Sequence, residues 1–582
     1  MIADTVGSLL LYLVLTFGLA WPVAARLAWP GPEKLLASAA LSLLGIFVFA
    51  WAVYVFALPR AAMWALPVVS VLGLGLGWRA LRELWRESDV RELAVAQLIV
   101  TLWCVGWLAL VVSYSGGSWV ADWFGHWQRA IFFLERGPRD ILFNGFDPLT
   151  SRPPLANILT GALMVVTKTD FAHYQLASTV LGSMAFLPAA LLARRFGGHR
   201  PMASADGHVV EPASGRGYSS ITLLAVLFMV SPMFVQNATF AWTKLPAAFF
   251  TLAAVHYFLR AGEKGSRRAG LWCAATLAAA LLAHYSAGPY AVVIAIAWIV
   301  RGWARRREAA WWRETAAAGA VGATVLATWF AWALAVYGPR GTFLTNTSVT
   351  ETAPSAGAQL LVSALNIRDT LVPHFLRGAD YGFIAQASPW GWWRDWFFQL
   401  YQLNLFFAFG GVAWLALLFA LGRRGCTASP GTRAGWIGAI VATTLLGIGA
   451  HAARDKWGLS HICLQPLVLA GLAVLAAHWD SLGRGWRRLL IAGATVDCAL
   501  GIALHFGAQS FLIDRWFSPD RTSAETLASY STHALSNLRA KSHFRWNFFG
   551  DGFAAHDAPI PLLLGALLLV ALVRATKRTA RP

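Results

Sequence analysis

The residues with the clearest chemical potential follow the fourth apolar segment of the chain. Asp122 and His126 are four positions apart, so they share one face wherever this stretch is helical. Such a pair can serve as a base with its orienting partner, as two ligands of a metal ion, or as a surface contact. The spacing alone favours the surface contact. Asp147 stands directly before Pro148 and is interpreted as a turn former.

Two cations are placed where they could neutralise a phosphate. Arg152 stands directly before Pro153-Pro154, and Lys244 stands at the start of a predicted helix. A guanidinium binds phosphate through two parallel hydrogen bonds, whereas an ammonium acts as a point charge. Lys244 has an alternative that is nearly as well supported, in which its ammonium extends to the lipid interface. The apolar residues 155–166 are too short to span a bilayer, so they should lie at the interface or re-enter.

Histidines near predicted turns are further candidates for substrate binding. His284 and Tyr285 interrupt an apolar run, where an ionisable group usually marks a partner or a pathway. Exposure at an outer turn explains these two residues equally well. His461 belongs to a polar cluster whose members are favoured to pair among themselves. That cluster comprises His451, Arg454, Asp455, Lys456 and His461.

The sequence predicts no cofactor. The five cysteines stand singly in or beside predicted helices, without the spacing of a metal site. The chain has neither a phosphate-binding loop of the nucleotide-binding type nor a glycine-rich dinucleotide motif. A divalent metal ion is compatible with the carboxylates but is not indicated. A second carboxylate could come from Asp380, Asp395 or Asp514, and the sequence does not choose among them.

Composition identifies the elements that must position these residues as membrane-spanning helices. The chain has 582 residues, of which 57% are hydrophobic and only 13% are charged, and its mean hydropathy is +0.55. So few charges cannot cover a soluble protein of this size. Apolar runs of about 18 residues or more recur, and in a bilayer each must satisfy its backbone hydrogen bonds as a helix.

The predicted fold class is therefore an all-α polytopic membrane protein with about 15 transmembrane helices. The predicted helices cover residues 8–27, 36–57, 63–80, 93–113, 172–193, 218–236, 244–261, 269–284, 287–303, 314–337, 400–421, 433–450, 459–477, 487–507 and 559–575.

Basic residues set the predicted topology. The net charge of +19 is concentrated in alternate short connections, which the positive-inside rule assigns to the cytoplasm. This places the amino terminus outside and the carboxyl terminus in the cytoplasm. The basic excess thus predicts membrane orientation and a weak attraction for anionic membrane lipids, rather than binding of nucleic acid.

Three long connections fall on the non-cytoplasmic face in this topology and are predicted to hold interfacial helices. They are rich in aromatic, His, Asp and Arg residues, which suit either interfacial anchoring or a sugar or lipid cavity above the bilayer. These loops cover residues 114–171, 338–399 and 508–558. The chain then divides into an amino-terminal three-helix membrane extension at 1–92, a catalytic membrane core at 93–337 and a carboxyl-terminal membrane region at 338–582.

Five segments carry a resemblance to a known family. They are Asp122, Pro153-Pro154-Leu155, Arg194-Arg195-Phe196-Gly197, the segment from Asn237 to Pro246 and the segment from His461 to Pro466. In these segments the chain resembles the GT-C superfamily of membrane glycosyltransferases, in the family that includes protein O-mannosyltransferases and lipid A aminoarabinose transferases. The resemblance covers about residues 93–300, and beyond them it rests on hydropathy and the last segment.

The resemblance implies an enzyme that transfers a sugar from a polyprenyl-phosphate donor to a lipid, glycan or protein acceptor. It implies the outer face of a bacterial inner membrane as the place of reaction, and Asp122 as the general base. The candidate substrate-binding residues, chosen from their types and positions, are His126, Arg152, Lys244, His284, Tyr285 and His461.

Two departures from the family and two alternatives accompany this expectation. Trp123 follows Asp122 where the family often has a second acid, so metal-dependent Asp-x-Asp chemistry is not implied. Three predicted helices precede the usual start of the family's core.

The alternatives are a transporter or flippase of a lipid-linked glycan, and a glycan polymerase or ligase. Predicted helix centres with few charges favour an enzyme over a transporter.

Overall fold

The structure of the protein is a computed structural model. It describes residues 2–110, 120–143, 147–197, 202–203, 209–210, 219–263, 268–345, 355–371, 430–449 and 463–502, with residues 567, 570 and 574. The predicted helix 400–421, the predicted loop 508–558 and His461 with its polar cluster lie outside the described residues.

Helices make up nearly all of this part of the chain. In chain order they are α1 (Ile2–Gly18), α2 (Trp21–Ala25), α3 (Gly31–Val55), α4 (Ala65–Leu76), α5 (Trp78–Leu84), α6 (Ser88–Leu110), α7 (Val120–Glu135), α8 (Leu155–Val165), α9 (Phe171–Ser183), α10 (Phe186–Phe196), α11 (Ser220–Met229), α12 (Pro232–Thr239), α13 (Lys244–Ala261), α14 (Ala269–Ala283), α15 (Gly288–Gly302), α16 (Ala309–Phe343), α17 (Ala356–Leu371), α18 (Pro430–Gly449), α19 (Gln465–Ala477) and α20 (Arg484–Ile502). Short 3-10 helices cover Arg60–Trp64, Leu149–Ser151, Tyr285–Ala287, Trp303–Arg305 and Trp479–Ser481.

The described strands form two short antiparallel hairpins. Strand β1 (Leu142–Phe143) pairs with β2 (Asp147–Pro148), with Phe143 opposite Asp147. Strand β3 (Met202–Ala203) pairs with β4 (Val209–Val210). The all-α class therefore holds for the described residues apart from these eight, two in each of the four strands.

Several helices have the length and the apolar composition to cross a membrane. Five helices qualify in the described residues, and up to seven if each of two bent helix pairs is one span. The five are Gly31–Val55, Ser88–Leu108, His173–Phe196, Tyr285–Arg305 and Ala309–Phe343. The larger predicted number of about 15 spans stays a prediction.

Two predicted spans are broken in the structure. The predicted helix 218–236 is divided between α11 and α12, which are bent by 68° relative to each other. Pro232 cannot donate a backbone hydrogen bond to the preceding turn, and it suits the first turn of a new helix, which Ser231 caps. The predicted helix 63–80 likewise divides into the 3-10 helix Arg60–Trp64 with α4, and α5, with a bend of 67°.

The short helix α8 lies inside the protein. All of its residues from Leu155 to Val165 are buried, and it packs against α3, α7, α9 and α14. The sequence predicted a stretch too short to span, which is confirmed by its 11 residues. Its surroundings are other helices of the protein, so the helix is covered by protein on all sides.

One end of the helix bundle carries a set of ion pairs that join distant parts of the chain. We call it the basic end and define it by the ion pairs Arg194–Asp89, Arg195–Glu263 and Arg260–Glu33. Helices α10 and α13 finish at this end, whereas α3 and α6 start there. The positive-inside rule assigns these three arginines to the same side of a membrane.

The opposite end of α13 is called the loop end here. It is defined by Lys244 and by the 3-10 helices Leu149–Ser151 and Tyr285–Ala287. The second of these follows α14, which packs along α13, and it contacts both helices. The Tyr285 hydroxyl donates a hydrogen bond to the carbonyl oxygen of Thr150 at 3.3 Å, which joins the two 3-10 helices.

The predicted topology is open to a labelling experiment. Single cysteines replacing Ser355 and Arg307, both exposed, should react with a membrane-impermeant thiol reagent from opposite sides of the membrane. Cys426 and Cys498 would first be replaced by Ser. Cys104, Cys273 and Cys463 can be kept, because they are buried and should not react with the reagent. Reaction of both introduced cysteines in intact cells would contradict the topology.

Candidate functional site

Helix α7 carries the predicted catalytic residue and its neighbour. Asp122 and His126 both lie on this helix, so their four-residue spacing places them on one face. The Asp122 side chain lies outside the described residues. His126 is buried, and its Nδ1 lies 3.1 Å from Oδ1 of Asn157 on α8. The structure therefore places His126 within the protein rather than at its surface.

The bond to Asn157 determines how the imidazole of His126 is arranged. An amide oxygen only accepts hydrogen bonds, so Nδ1 of His126 is the donor. In a neutral imidazole this leaves the lone pair on Nε2. His126 is thus oriented by a side chain from the helix that follows the Pro153-Pro154 motif.

The segment before Arg152 is held on one side by α7. Arg129 donates hydrogen bonds to the carbonyl oxygen of Pro148 at 3.4 Å and to Oγ of Ser151 at 3.1 Å. It also lies 3.9 Å from the carboxylate of Asp147. Asp147, which was predicted to shape a turn, lies in strand β2 just before the 3-10 helix Leu149–Ser151, and its acid faces a buried arginine.

The same segment is held on its other side by later helices. Oγ1 of Thr150 donates to the carbonyl oxygen of Gly341 at 2.6 Å, near the end of α16. The carbonyl oxygen of Thr150 accepts from the Tyr285 hydroxyl. Arg152 follows directly, in extended conformation and half-buried. The chain from Pro148 to Ser151 is therefore fixed by contacts with three separate regions.

Lys244 is buried at the first position of α13. Its side chain is 7% exposed, and Nζ lies 2.9 Å from the centre of the Trp242 ring. Three residues before it, Ala241 has a left-handed φ of 60°, which is uncommon for a residue with a Cβ. The Tyr174 hydroxyl donates to the carbonyl oxygen of Ala241 at 3.2 Å and holds this conformation. Lys244 is thus enclosed by protein and does not extend along its helix to a lipid interface.

The predicted pair His284 and Tyr285 forms the turn after α14. Nδ1 of His284 accepts from the backbone N–H of Ser286 at 3.1 Å and lies 2.9 Å from its hydroxyl. Both residues are half-buried. His284 therefore caps the 3-10 helix, while Tyr285 connects that helix to the segment before Arg152.

A second acid at the start of α9 is poorly suited to accept a proton. Asp170 caps α9 through His173 and lies 3.3 Å from Nζ of Lys168. Burial alone would raise the pKa of the Asp170 carboxyl, but hydrogen bonds from the His173 side chain and backbone hold it below its usual value. Asp170 thus stays ionised as a structural cap of α9.

The late proline motif reaches the segment that precedes Lys244. Nε2 of Gln465 donates to Oδ1 of Asn237 at 3.0 Å, and both side chains are buried. The Tyr290 hydroxyl also donates to the carbonyl oxygen of Cys463 at 2.6 Å. Two segments of the family resemblance, separated by 228 positions, are therefore in direct contact. His461 of the same motif lies outside the described residues.

Two solved structures are similar to this chain. No family model matches the sequence, and no curated protein matches it. The chain is similar to ArnT from Cupriavidus metallidurans bound to undecaprenyl phosphate, with 16% sequence identity, coverage of 82% of this chain and 77% of that chain, and a TM-score of 0.44. For ArnT from the same organism in the apo state, the identity is 15%, the coverage is 82% and 76%, and the TM-score is 0.37.

The arrangement brings some predicted residues together and leaves others separate. Arg152, Tyr285 and Lys244 lie at the loop end, on elements that contact one another. His284 contacts its own turn. Among the described residues, no group of three or more His, Cys, Asp or Glu side chains could hold a metal ion.

Three residues of this region were not predicted from the sequence. Arg129 follows Asp122 by seven positions and His126 by three, so the helical spacing could have revealed it. Asn157 was visible only as a polar residue in an apolar stretch. Gln465 gave no local signal, because its partner Asn237 is distant in the sequence.

Proposed function

We propose that the protein transfers a sugar from a polyprenyl-phosphate-linked donor to a lipid, glycan or protein acceptor at the outer face of the membrane. The observation that carries this proposal is the hydrogen bond between Tyr285 and Thr150. It joins the segment that ends in Arg152 to the turn that contacts the start of α13, where Lys244 lies. Two cations from distant parts of the sequence are thereby placed at one end of the bundle.

This charge arrangement fits the anionic part of a lipid-linked donor. Lys244 is buried beside Trp242 at the start of α13, and its ammonium is a point charge of the kind that binds phosphate. Arg152 is half-buried and able to present a planar pair of donors to a phosphate. The loop end includes the start of Tyr285–Arg305 and lies near the end of Ala309–Phe343, two helices that qualify as membrane spans, so a polyprenyl chain bound here would be close to lipid.

The reaction divides between a base and these two cations. The acceptor hydroxyl attacks the anomeric carbon of the sugar, the bond from that carbon to the phosphate oxygen breaks, and polyprenyl phosphate leaves. Asp122 accepts the hydroxyl proton, as a carboxylate can when it lies within hydrogen-bond reach of the nucleophile. Arg152 and Lys244 stabilise the negative charge that accumulates on the departing phosphate. His126, one turn from Asp122, orients the polar part of a substrate.

One observation bears on the alternative of a transporter. Glu33, His256 and Arg260 form a buried ionisable cluster, and such groups within a membrane often mark a transport pathway. However, Glu33 is the third residue of α3 and Arg260 is the second last of α13. Transport sites are typically near the middle of the bilayer, so the position of this cluster at helix ends favours a structural role and leaves the enzyme as the better proposal.

Binding of undecaprenyl phosphate to the purified protein tests the two phosphate ligands. Arg152→Gln and Lys244→Gln should each weaken binding by about ten- to hundredfold. A hydrogen bond to a charged group contributes about 1.5–3 kcal/mol, and about 1.4 kcal/mol corresponds to a factor of ten. Titration of the lipid in detergent, followed by intrinsic tryptophan fluorescence, would measure the change.

Lys168→Gln is the matched control for this experiment. Lys168 is a cation like Arg152 and Lys244, but it lies just before α9, and its side chain is 74% exposed and contacts Asp170. Its replacement should leave lipid binding within about twofold of the unmodified protein, because an exposed ion pair contributes little. Equal losses in all three variants would show only a general electrostatic attraction and would argue against the assigned ligands.

A further inference from the structure

Arg129 is a charged residue in an unusually enclosed place. It lies on α7, and only 2% of its side chain is exposed. Removing a guanidinium from water is costly unless hydrogen bonds and opposite charge compensate it. The nature of the compensating groups therefore indicates what the residue is for.

Several of these groups lie in the chain segment before Arg152. Arg129 donates to the carbonyl oxygen of Gly125 in its own helix, at 3.1 Å, and to the carbonyl oxygen of Pro148 and Oγ of Ser151. The guanidinium also lies 4.4 Å from the centre of the Phe143 ring. The carboxylate of Asp147, at 3.9 Å, is at the outer limit of an ion pair. Arg129 thus holds the turn from Pro148 to Ser151 through one backbone carbonyl and one side-chain hydroxyl.

The contacted segment is a compact turn with a second set of supports. Oγ of Ser151 donates to the carbonyl oxygen of Pro148 at 2.8 Å, while it also accepts from Arg129. Thr150 faces the other way, toward Gly341 and Tyr285. The turn is therefore held between α7 on one side and the loop end on the other, and Arg152 is the next residue of the chain.

We propose that Arg129 is a positioning residue that sets the place of Arg152 relative to the donor phosphate. This inference rests on the proposed function. A rigid planar fork that reaches two acceptors in one turn fixes the turn's direction, and with it the direction of the following residue. Arg129 shares its helix face with Asp122 and His126, so the same helix sets both the base and the phosphate ligand.

A double-mutant cycle on binding of undecaprenyl phosphate tests the proposal. Arg129→Gln should weaken binding by about tenfold when Arg152 is present, and by less than about twofold in an Arg152→Gln background. The reason is that a residue acting through Arg152 has nothing left to position once that arginine is gone. A merely structural role would give the same loss in both backgrounds.

Two further variants keep the test independent of folding. Ser151→Ala removes one acceptor of Arg129 but keeps its bond to Pro148 and its pairing with Asp147, and it should show a smaller loss with the same dependence on Arg152. Arg136→Gln is the matched control, because Arg136 also donates to backbone carbonyls, but to those of Val53 and Leu58. Arg136→Gln should leave lipid binding unchanged.

The outcomes separate the two proposals. Losses that add fully in the cycle, for both Arg129→Gln and Ser151→Ala, would overturn the positioning role and leave the proposed function standing. Failure of the unmodified protein to bind undecaprenyl phosphate above the level of Arg152→Gln would overturn the proposed function, and the positioning role with it.

Discussion

Asp122→Asn should lower the rate of sugar transfer by about 10²–10⁴-fold, the range that a general base typically contributes. The substitution keeps the size of the side chain but removes its ability to accept a proton from the acceptor hydroxyl. Asp122 lies in the first turn of α7, on the helix face that also carries His126 and Arg129. We expect donor binding to stay close to normal, because the proposed phosphate ligands are Arg152 and Lys244. Initial rates at saturating donor, with melting in detergent as the check on folding, would measure the effect.

Asp140→Asn is the control for this prediction. Asp140 follows α7 in the same loop, and it is exposed. Its replacement should leave the transfer rate within about twofold, since a surface substitution away from a site changes little. A nearly normal rate for Asp122→Asn, or a similar loss for Asp140→Asn, would mean that the base is a different group.

Glu33→Ala should destabilise the protein by about 3–5 kcal/mol while leaving transfer by the folded molecules unchanged. Glu33 pairs with Arg260, and its other oxygen lies 3.5 Å from Nε2 of His256. All three residues are buried, so removing the acid leaves an uncompensated cation inside the bundle. Glu263 is a poor replacement, because it lies 4.0 Å from Arg260 and is 36% exposed.

Glu33→Ala should lose stability but keep its transfer rate, because its partner Arg260 lies at the end of α13 opposite the loop end. That helix has 18 residues, so its two ends are about 27 Å apart at 1.5 Å per residue. Denaturation of the detergent-solubilised protein would measure the stability loss. Glu308→Ala is the control, since Glu308 pairs with Arg305 at the surface and should contribute no more than about 1 kcal/mol. Equal stability of Glu33→Ala and the unmodified protein would show that the charge of Arg260 is compensated by groups other than Glu33.

The sequence was sufficient to predict the class of fold because hydropathy is a local property. Long apolar runs must become helices in a bilayer wherever they lie in the chain. The break between α11 and α12 was missed for the same reason, since hydropathy continues across Ser231 and Pro232 without a change. The proline was the available signal, because it ends one helix and suits the start of the next.

The candidate site was less predictable, because its contacts join residues that are far apart in the sequence. The spacing of Asp122, His126 and Arg129 could be read from one helix. The burial of Lys244 depends on Trp242 and on how the preceding turn packs. The bond between Tyr285 and Thr150 spans 135 positions, and no local pattern indicates it. Residue types therefore suggested the chemistry, whereas packing decided which of them meet.

Cleavage of a lipid-linked sugar donor is the most direct measurement of the central claim. The purified protein would be placed in proteoliposomes with a polyprenyl-phosphate sugar carrying label in the sugar, together with a membrane extract as a source of acceptors. The account predicts that label moves into acceptor and that free polyprenyl phosphate appears in equal amount, with both products strongly reduced by Asp122→Asn. Movement of the intact donor from one leaflet to the other, with no free polyprenyl phosphate formed, would contradict the account and identify a transporter.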